Sequence, residues 1–511
     1  MSTPRRRRRT PPPNPASLDF PPARMRRLGY RAVDMVVRHL TDLRRSRLGK
    51  IGTRARMRAL LEEPPPLRAN PPLAVLRRVG RQIMPYTLSP HHPRFFAFIP
   101  SGAAYPGVLA DFLASGFNVF AGTWMEASGP AQVELSVVDW FRRWLGMPAA
   151  AGGLMLSGGS AANLHALVAA RETLLSRLPR RQQQRAVIYA SDQTHSSIAR
   201  AARVLDFPAE RLRRIDTDSA YRMRLDSLKA AIDRDRRRGL IPFCVVANAG
   251  STNTGSVDPL PALARLCRRE RLWLHADAAY GGFAVLTRRG HALLRGVGRA
   301  DSVTLDPHKW LYAPFEAGCV LVRDRRLLRR AFAGHAEYLQ DIRARQEEIN
   351  FYEYGTQLTR SFRALKVWMI VQTYGTRRLA AAIDRALDQA RRAEAWLAGR
   401  PAFEILSPAA LGIVCFRHLG NGPRPGREPA PPPRRGLSGE TPLRRLNEEI
   451  VRRVRERGRS FFTSTELRGR YALRLCILGH RTQWGDVRET LEEIDSTAAR
   501  IVREVRLRPI R

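Results

Sequence analysis

The sequence predicts an α/β protein in which a large domain, built on a mostly parallel sheet covered by helices, is followed by a smaller α+β domain and preceded by a helical arm. Short apolar strands alternate with helices from residue 152 to about 324, as in a parallel sheet. Proline clusters interrupt helical patterns before that stretch, and a segment rich in Pro, Gly and Arg interrupts the chain at 420–441. A chain of 511 residues is long enough to bury the cores that this arrangement needs.

The same patterns give the predicted domain boundaries. Residues 1–18 are rich in Arg and Pro and are predicted to be disordered. The helical arm is predicted over 19–95, the large domain over 96–375 and the small domain over 376–511. Within the small domain, the segment 420–441 is predicted to be a flexible insertion.

Each predicted strand is a short apolar run, and each predicted helix shows apolar residues at helical spacing. The strands of the large domain are predicted at 186–190, 243–247, 272–276, 302–305 and 319–323. Its helices are predicted at 161–178, 196–204, 227–238 and 260–269. A further helix is predicted at 130–145, because Ser128 and Gly129 offer a cap and Pro130 suits a first turn. The small domain is predicted to contain strands at 412–417 and 471–478 and helices at 443–457 and 482–506.

The net charge of +42 raises the question of a nucleic-acid partner. Only four of the 88 basic residues are lysine, which leaves 84 arginines spread along the whole chain rather than gathered in one stripe. This distribution favours a general arginine bias over a specific nucleic-acid site. Any binding to polyanions is expected to be weak and sensitive to salt.

The cysteines and the apolar runs indicate the compartment. Five scattered cysteines without a CxxC pair are typical of reduced thiols in the cytoplasm, and their spacing predicts no metal site. No apolar run approaches the length of a membrane span, and none follows the N-terminal arginines as a secretory signal requires. A cytoplasmic protein without a membrane partner is therefore expected.

Lys309 lies in the segment Asp-Pro-His-Lys-Trp at 306–310, directly after a predicted strand. A lysine amine can condense with an aldehyde, whereas an arginine guanidinium is too basic and too delocalised to do so. Lys309 is therefore one of only four side chains that could form an imine. From this segment alone, a lysine that extends past Trp310 to solvent is an equal alternative.

Three other polar features also follow predicted strands. Asp277 ends one strand, and its buried carboxylate needs a partner, which could be a protonated pyridine nitrogen or the next turn. The Ser-Gly-Gly-Ser turn at 157–160 precedes a helix, where backbone N–H groups can approach a phosphate, although such turns are common. His195 could stack on a flat ring or could simply cap a helix.

The sequence resembles the group II pyridoxal-phosphate decarboxylases, because the Gly-rich turn, His195, Asp277 and Lys309 follow one another in the same order. This family includes aromatic-L-amino-acid, histidine and eukaryotic-type glutamate decarboxylases. The likeness extends from about residue 25 to 500. It is carried by the segments 93–98, 191–197, 275–280, 306–310, 474–476 and 480–482. The resemblance implies the type I fold of pyridoxal-phosphate transferases, pyridoxal 5′-phosphate as the cofactor of the large domain, and a homodimer.

The resemblance also implies a role for each matching residue. Lys309 matches the lysine that forms an imine with the cofactor, Asp277 the partner of the pyridine nitrogen, His195 the histidine stacked on the ring, and His308 the histidine beside the lysine. Gly159 and Ser160 match phosphate contacts, Thr252 matches a threonine near the ring, and Tyr338 matches a mobile-loop tyrosine that protonates the product. Asp306 is assigned to cofactor binding. Many relatives carry Asn at this position, so the chain has one more negative charge there than they do. Phe98, Ile99, Pro100 and Ser101 match the substrate-side segment.

The function implied is decarboxylation of an L-amino acid to its amine and CO2. An aromatic substrate is the leading expectation, and an acidic one is an alternative that would need an arginine in the pocket. Oxidative decarboxylation and deamination to an aldehyde is a rival, which Tyr338 disfavours because that branch of the family often carries phenylalanine there. A non-catalytic nucleic-acid-binding protein on the same fold is a second rival. The presence of Lys309, Asp277, His195 and Tyr338 disfavours it.

Overall fold

The computed structural model describes residues 18–99, 101–334, 337, 342, 347–420 and 442–507. Contacts divide the chain into two units, residues 1–88 and residues 89–511. The predicted disordered tail lies outside the described residues except for Leu18, and the predicted insertion lies outside them except for Gly420. Both therefore stay predictions.

The first unit is helical, as the sequence predicts. Its helices are Pro22–Thr41 (α1), Arg54–Leu61 (α2) and Pro72–Arg78 (α3). A proline occupies the first turn of α1 and of α3, where its missing N–H breaks no hydrogen bond. Thr53 caps α2, because its hydroxyl accepts a hydrogen bond of 3.2 Å from the backbone N–H of Arg56.

The second unit contains both sheets. Its helices are Tyr105–Gly116 (α4), Trp124–Trp144 (α5), Gly159–Leu174 (α6), Arg180–Gln183 (α7), Ser196–Val204 (α8), Leu225–Arg237 (α9), Leu260–Glu270 (α10), Arg288–Leu293 (α11), Pro307–Trp310 (α12), Arg326–Phe332 (α13), Ala364–Ala398 (α14), Pro442–Arg457 (α15) and Trp484–Leu507 (α16). Its strands are Gly152–Leu156 (β1), Ala186–Ser191 (β2), Leu212–Ile215 (β3), Ile241–Asn248 (β4), Trp273–Asp277 (β5), Ser302–Leu305 (β6), Gly318–Val322 (β7), Phe403–Ala410 (β8), Ile413–His418 (β9), Thr463–Leu467 (β10) and Arg470–Cys476 (β11).

The large sheet has seven strands in the order β1-β7-β6-β5-β4-β2-β3. The five strands β2, β3, β4, β5 and β6 are all parallel to one another. Strand β7 is antiparallel to both of its neighbours, β6 and β1. The predicted mostly parallel sheet is therefore confirmed. Such a sheet brings the carboxyl ends of β2, β4, β5 and β6 to one edge.

Helices cover both faces of this sheet because both faces of its strands are apolar. On β4, Val245 and Ala247 belong to one buried cluster, and Cys244 and Val246 belong to another on the opposite face. Side chains alternate between the two faces of a strand, so a continuous apolar run requires cover on each. This requirement explains why the central strands could be predicted from their apolar runs.

The small domain is built on an antiparallel sheet of four strands in the order β10-β11-β9-β8. Its core contains Val414 and Phe416 of β9, Leu473 and Leu475 of β11, and apolar residues of the helices α15 and α16. Phe96, at the predicted start of the large domain, packs in this core.

Helix α14 connects the two cores. Its Leu379 and Ile383 belong to the core of the large sheet, and Ala393 and Leu397, nearer its C-terminus, belong to the core of the small domain. The helix is interrupted at Gly375, whose φ of 66° and ψ of 160° are not helical. The predicted boundary after residue 375 coincides with this interruption, although the boundary itself remains a prediction.

Some elements differ from their predicted bounds or were not predicted. Helix α5 begins at Trp124 rather than at residue 130, because Thr123 accepts a hydrogen bond of 3.3 Å from the N–H of Glu126. A break at Ala127 then places Pro130 in the first turn of the following segment. Strands β1, β3, β8 and β10 were not predicted. Two adjacent glycines begin β1, two arginines occupy the middle of β3, and β10 is mostly polar, so none of these three shows an apolar run.

A buried ion pair joins α5 to the segment before α14. Arg360 and Glu134 are each about 1% exposed, and Arg360 Nη2 lies 2.5 Å from Glu134 Oε1. Arg360 also donates to the carbonyls of Ala121 and Met155, each at 2.9 Å, and Glu134 accepts from the N–H of Met155. The pair therefore satisfies backbone groups at the edge of the sheet.

We predict that Glu134→Ala will lower the free energy of unfolding by about 3–5 kcal/mol, because it leaves a buried guanidinium without its counter-ion. Glu448→Ala is the matched control, since Glu448 forms an exposed pair with Arg444 and should cost no more than about 1 kcal/mol. Urea unfolding followed by circular dichroism measures both. Equal losses in the two variants would contradict the prediction.

Candidate active site

The candidate site lies at the carboxyl edge of the large sheet. Ser191, Asn248 and Asp277 are the last residues of β2, β4 and β5, and Asp306 directly follows β6. The pairing of these parallel strands brings their ends to the same edge. Ligands of open α/β sheets bind in this position.

A cavity of about 280 Å³ opens at this edge. The seven residues predicted to bind the cofactor all line it, and so does His308, the histidine predicted beside the lysine. The seven are Gly159, Ser160, His195, Thr252, Asp277, Asp306 and Lys309. These residues come from positions up to 150 apart in the sequence, and the sheet brings them to one place. The geometry does not by itself assign their roles.

Lys309 lies on the short helix α12, and its amine contacts a carboxylate. Its Nζ lies 2.8 Å from Oδ2 of Asp306, and the neighbouring Trp310 is fully buried. The backbone carbonyl of Lys309 accepts a hydrogen bond from the hydroxyl of Ser101. The lysine amine is therefore held at the wall of the cavity by an ion pair.

Asp306 is buried, and only one of its two carboxylate oxygens has a hydrogen-bonding or ionic partner among the described residues. Its side chain is only 3% exposed, and its Oδ1 has no hydrogen-bond partner among the described residues. Its Oδ2 pairs with Lys309 and lies 3.6 Å from Nε2 of His308. Burial lowers the pKa of His308, so that ring is expected to be neutral and Lys309 to supply the counter-charge.

The Gly-rich turn fits a phosphate. Among the described residues no side chain caps the N-terminus of α6, which begins at Gly159, so its first N–H groups can bind an anion. A Cβ on Gly159 would lie 2.9 Å from Oδ2 of Asp306 and 3.0 Å from Cβ of Ala279. Only glycine therefore lets the turn come this close to the end of β6.

His195 is both a helix cap and a cavity residue. Its Nδ1 accepts a hydrogen bond of 3.2 Å from the N–H of Ser197 at the start of α8, and it lies 2.8 Å from the hydroxyl of the same serine. Burial is the main cause that lowers the pKa of His195. The two interpretations left open by the sequence are therefore compatible, since the capping histidine also lines the cavity.

Asp277 likewise combines both interpretations. Its Oδ1 accepts a hydrogen bond of 3.2 Å from the N–H of Ala279 in the next turn, and its Oδ2 accepts one of 2.9 Å from Nδ2 of Asn163. The residue is 7% exposed and lines the cavity. A carboxylate with two donors and an open side can also accept a hydrogen bond from a cationic ring nitrogen.

The predicted substrate segment is placed differently. Ile99 and Ser101 are buried and Phe98 is 58% exposed, and none of these three lines the cavity. Pro100 lies outside the described residues, and so does Tyr338, the predicted proton donor. The small domain reaches this region through Arg474, which donates to the carbonyls of Phe98 and Thr252.

Sequence reasoning missed the polar residues that hold the predicted ones in place. Asn163, Ser197, Asn248 and Glu316 also line the cavity. Asn163 bonds to Asp277, which is 114 positions away, and Asn248 bonds to Ser191, which is 57 positions away. The one available signal was the location of Asn163 near the start of the helix that follows the Gly-rich turn.

The described residues could together hold pyridoxal phosphate. Lys309 offers an amine for its aldehyde, Asp277 a carboxylate for its ring nitrogen, and the N-terminus of α6 a binding site for its phosphate. In the described part of the chain, no group of three or more His, Cys, Asp or Glu side chains could hold a metal ion.

The chain is similar to known proteins over most of its length. The conserved domain of the pyridoxal-dependent decarboxylases matches residues 55–419. An aromatic-L-amino-acid decarboxylase of Bacillus atrophaeus is 40% identical over 478 residues, which cover 93% of this chain and 96% of that protein.

Solved structures are also similar. The crystal structure of Oryza sativa TDC with PLP and tryptamine has a TM-score of 0.86 at 28% identity, covering 95% of this chain and all of that one. The crystal structure of Rhodiola rosea 4-hydroxyphenylacetaldehyde synthase has a TM-score of 0.84 at 27% identity, covering 96% of this chain and all of that one.

We predict that Gly159→Ala will weaken pyridoxal phosphate binding by about tenfold or more, because the added methyl group meets Asp306 and Ala279 at a cost of about 1–3 kcal/mol. Equilibrium dialysis measures the dissociation constant. Gly129→Ala is the control, because a Cβ there meets no atom within 4 Å. An unchanged constant in Gly159→Ala would show that the turn does not contact the cofactor.

Proposed function

The chain belongs to the pyridoxal-dependent decarboxylase family, and on that basis we propose that it converts an aromatic L-amino acid to the corresponding amine and CO2. Family membership confirms the predicted enzyme class, a carboxy-lyase, and the predicted cofactor, pyridoxal phosphate. The observation that carries the proposal is the convergence of Lys309, Asp277 and His195 on one cavity at the carboxyl edge of the sheet. The substrate, the residue roles and the assembly are the parts that are proposed.

We assign the residue roles as follows. Pyridoxal phosphate, when bound, supplies an electron sink for the bond that breaks at Cα. Lys309 attaches the cofactor, Asp277 keeps its ring nitrogen protonated, and His195 covers its ring. Gly159 and Ser160 bind the phosphate through the N-terminus of α6. Thr252 lies near the ring, and Asp306 and His308 set the position and charge of the lysine.

The chain must also supply a proton, because loss of CO2 leaves the electron pair of the broken bond, and Cα needs a proton to complete the amine product. Tyr338 is proposed to deliver it from its hydroxyl group, with His195 as the second candidate. Tyr338 lies outside the described residues, so its role rests on the family resemblance. Partial burial is the main cause that lowers the pKa of His195, so its ring is neutral near pH 7 and can carry one exchangeable proton.

An aromatic substrate is supported by two observations. The relative from Bacillus atrophaeus, which covers nearly the whole chain at 40% identity, is an aromatic-L-amino-acid decarboxylase. Among the described residues that line the cavity there is no arginine, whereas Glu316 is present. A second carboxylate on the substrate would therefore find no guanidinium to pair with among these lining residues. Phe98, Ile99, Pro100 and Ser101 remain the proposed substrate-side segment.

Oxidative conversion to an aldehyde is the second candidate, because the structure from Rhodiola rosea is that of a 4-hydroxyphenylacetaldehyde synthase. That reaction consumes O2 and releases CO2, ammonia and peroxide with the aldehyde. Tyr338 favours the simple decarboxylation, in which the proton reaches Cα and no oxidant is used. The nucleic-acid-binding alternative is disfavoured because the candidate site retains its lysine, aspartate and histidine.

We propose that the enzyme acts as a homodimer. Helix α4 carries an exposed apolar face formed by Leu109, Phe112 and Leu113, and Phe117 extends it beyond the end of the helix. Apolar residues at this spacing lie on one side of a helix, and a contiguous exposed patch of this kind is typical of a protein interface. The predicted helical arm would suit an interlocked dimer.

We propose a cytoplasmic location. All five cysteines are buried free thiols, as expected in a reducing compartment. In the described part of the chain, no helix is long and apolar enough to cross a membrane.

We predict that Lys309→Ala will abolish CO2 release and the visible absorbance of the bound cofactor, because no amine remains at the wall of the cavity. Lys229→Ala is the matched control and should retain both, since Lys229 is exposed on α9. Manometric CO2 assays and absorbance spectra measure the two effects. A Lys309→Ala protein that kept both signals would refute the assignment of the lysine.

We predict that purified enzyme with pyridoxal phosphate will release CO2 and amine from phenylalanine, tyrosine or tryptophan faster than from glutamate or aspartate. Mass spectrometry of the products measures the amine, and peroxide and ammonia assays detect the oxidative reaction. Equal amounts of aldehyde, ammonia and peroxide would favour the second candidate. Preference for an acidic amino acid would contradict the proposed substrate.

We predict that the double substitution Phe112→Glu with Phe117→Glu will convert a dimer to a monomer, because four buried carboxylates would face one another across the interface. Sedimentation velocity measures the change. Val204→Glu is the control, because Val204 is 68% exposed on a different helix. A wild-type protein that sediments as a monomer would contradict the proposed assembly.

A further inference from the structure

A row of buried polar side chains leads from the interior of the large sheet to the cavity. Trp273 and His275 lie on β5, Ser302 lies on β6 and Asn163 lies on α6. His275 and Ser302 are fully buried, Asn163 is 1% exposed and Trp273 is 5% exposed. The hydrogen bonds run from Trp273 to Ser302, from Ser302 to His275 and from His275 to Asn163. Because these residues are buried, water does not compete for the bonds.

The two ends of the row fix the direction of its hydrogen bonds, because an indole N–H can only donate and a carboxylate can only accept. Trp273 Nε1 donates to the hydroxyl oxygen of Ser302 at 2.8 Å. That hydroxyl lies 2.8 Å from Nδ1 of His275. At the other end, the carboxylate of Asp277 requires the amide of Asn163 to donate its N–H, so the amide oxygen must accept from Nε2–H of His275. The neutral ring of His275 then leaves Nδ1 to accept from Ser302.

His275 in turn fixes the amide of Asn163. Its Nε2–H lies 3.0 Å from Oδ1 of Asn163, so that oxygen accepts. The amide nitrogen then points the other way and donates to Oδ2 of Asp277 and to the hydroxyl of Ser197, both at 2.9 Å. A flipped amide would place its oxygen against the carboxylate and its N–H against another N–H.

Besides Asp277, the row reaches a second residue that lines the cavity, His195. The hydroxyl of Ser197 accepts from Asn163 and can therefore direct its own proton to Nδ1 of His195, which lies 2.8 Å away. The backbone N–H of Ser197 also donates to this nitrogen. Nδ1 of His195 is thus an acceptor, and a neutral ring carries its proton on Nε2.

We propose that Asn163 is a positioning residue that orients Asp277 toward the cofactor ring nitrogen and fixes the tautomer of His195, and that Trp273, Ser302 and His275 set the direction of its amide. The inference rests on the proposed roles of Asp277 and His195 and deepens them. A single amide connects the two groups, so the carboxylate and the imidazole are set together.

Burial keeps this arrangement in one protonation state. The pKa of His275 is lowered by burial to about 4, so the ring is neutral near pH 7 and keeps its Nε2–H. If Asn163 is lost, the backbone N–H of Ala279 is the one donor to Asp277 that remains among the described residues. Its carboxylate is then free to rotate away from the ring nitrogen.

The test compares pyridoxal phosphate with its 1-deaza analogue, in which carbon replaces the ring nitrogen. Both carry the aldehyde and the phosphate, and only the first can pair with Asp277. The dissociation constants of both ligands are measured by equilibrium dialysis for the wild type, Asn163→Ala and Asp277→Ala. We expect the wild type to prefer pyridoxal phosphate by about tenfold or more, the worth of a hydrogen bond to a charged group. Asn163→Ala should lose most of that preference.

The outcomes separate the inference from the proposed function. If the wild type and Asn163→Ala prefer pyridoxal phosphate equally while Asp277→Ala does not, the inference is wrong and the role of Asp277 stands. If the wild type shows no preference, the proposed role of Asp277 is wrong and the inference fails with it. A role of Asn163 in folding alone would weaken both ligands equally, which also overturns the inference.

A second pair of variants tests the direction of the amide. His275→Gln can still accept from Ser302 and donate to Asn163, whereas His275→Leu can do neither. We expect the glutamine variant to keep the preference for pyridoxal phosphate and the leucine variant to lose it, with thermal melting used to confirm that both are folded. Should the leucine variant not fold, Ser302→Ala replaces it, because it removes only the donor to Nδ1. Retention of the full preference in a folded His275→Leu or Ser302→Ala would refute the role of the row.

Discussion

The site depends on one constraint, namely that a carboxylate buried at the end of a strand must be given hydrogen-bond donors. Asp277 is 7% exposed and accepts from the amide of Asn163 and the N–H of Ala279. These donors hold one side of the carboxylate, and its other side faces the cavity. The parallel sheet makes this possible, because it ends β2, β4, β5 and β6 at a common edge.

The sequence predicted the central strands because they are apolar on both faces. Strand β6 was predicted with its bounds, and β2, β4 and β5 were predicted to within two residues at each end. In the small domain, β10 was missed because it is mostly polar, and β8 because Ser407 and Pro408 interrupt its apolar residues. The fold class needed only the central strands and the helices between them, which explains why it could be predicted.

The candidate site was predicted in part, for a similar reason. Lys309, Asp277 and His195 each follow a strand, so their positions could be read from local patterns. Asn163 and Ser197 could not be identified in this way, because their importance comes from contacts with residues 34 to 114 positions away. Phe98 and Ile99 were assigned to the substrate by resemblance, and they do not line the cavity of a single chain.

The length of α14 has a consequence for how the protein loses its structure. One helix supplies Ile383 to the core of the large sheet and Leu397 to the core of the small domain. Neither core can be dismantled without exposing apolar residues of the same helix to water. The two domains should therefore melt together as one cooperative unit, and a chain truncated within this helix should be a substrate for proteases rather than a smaller stable protein.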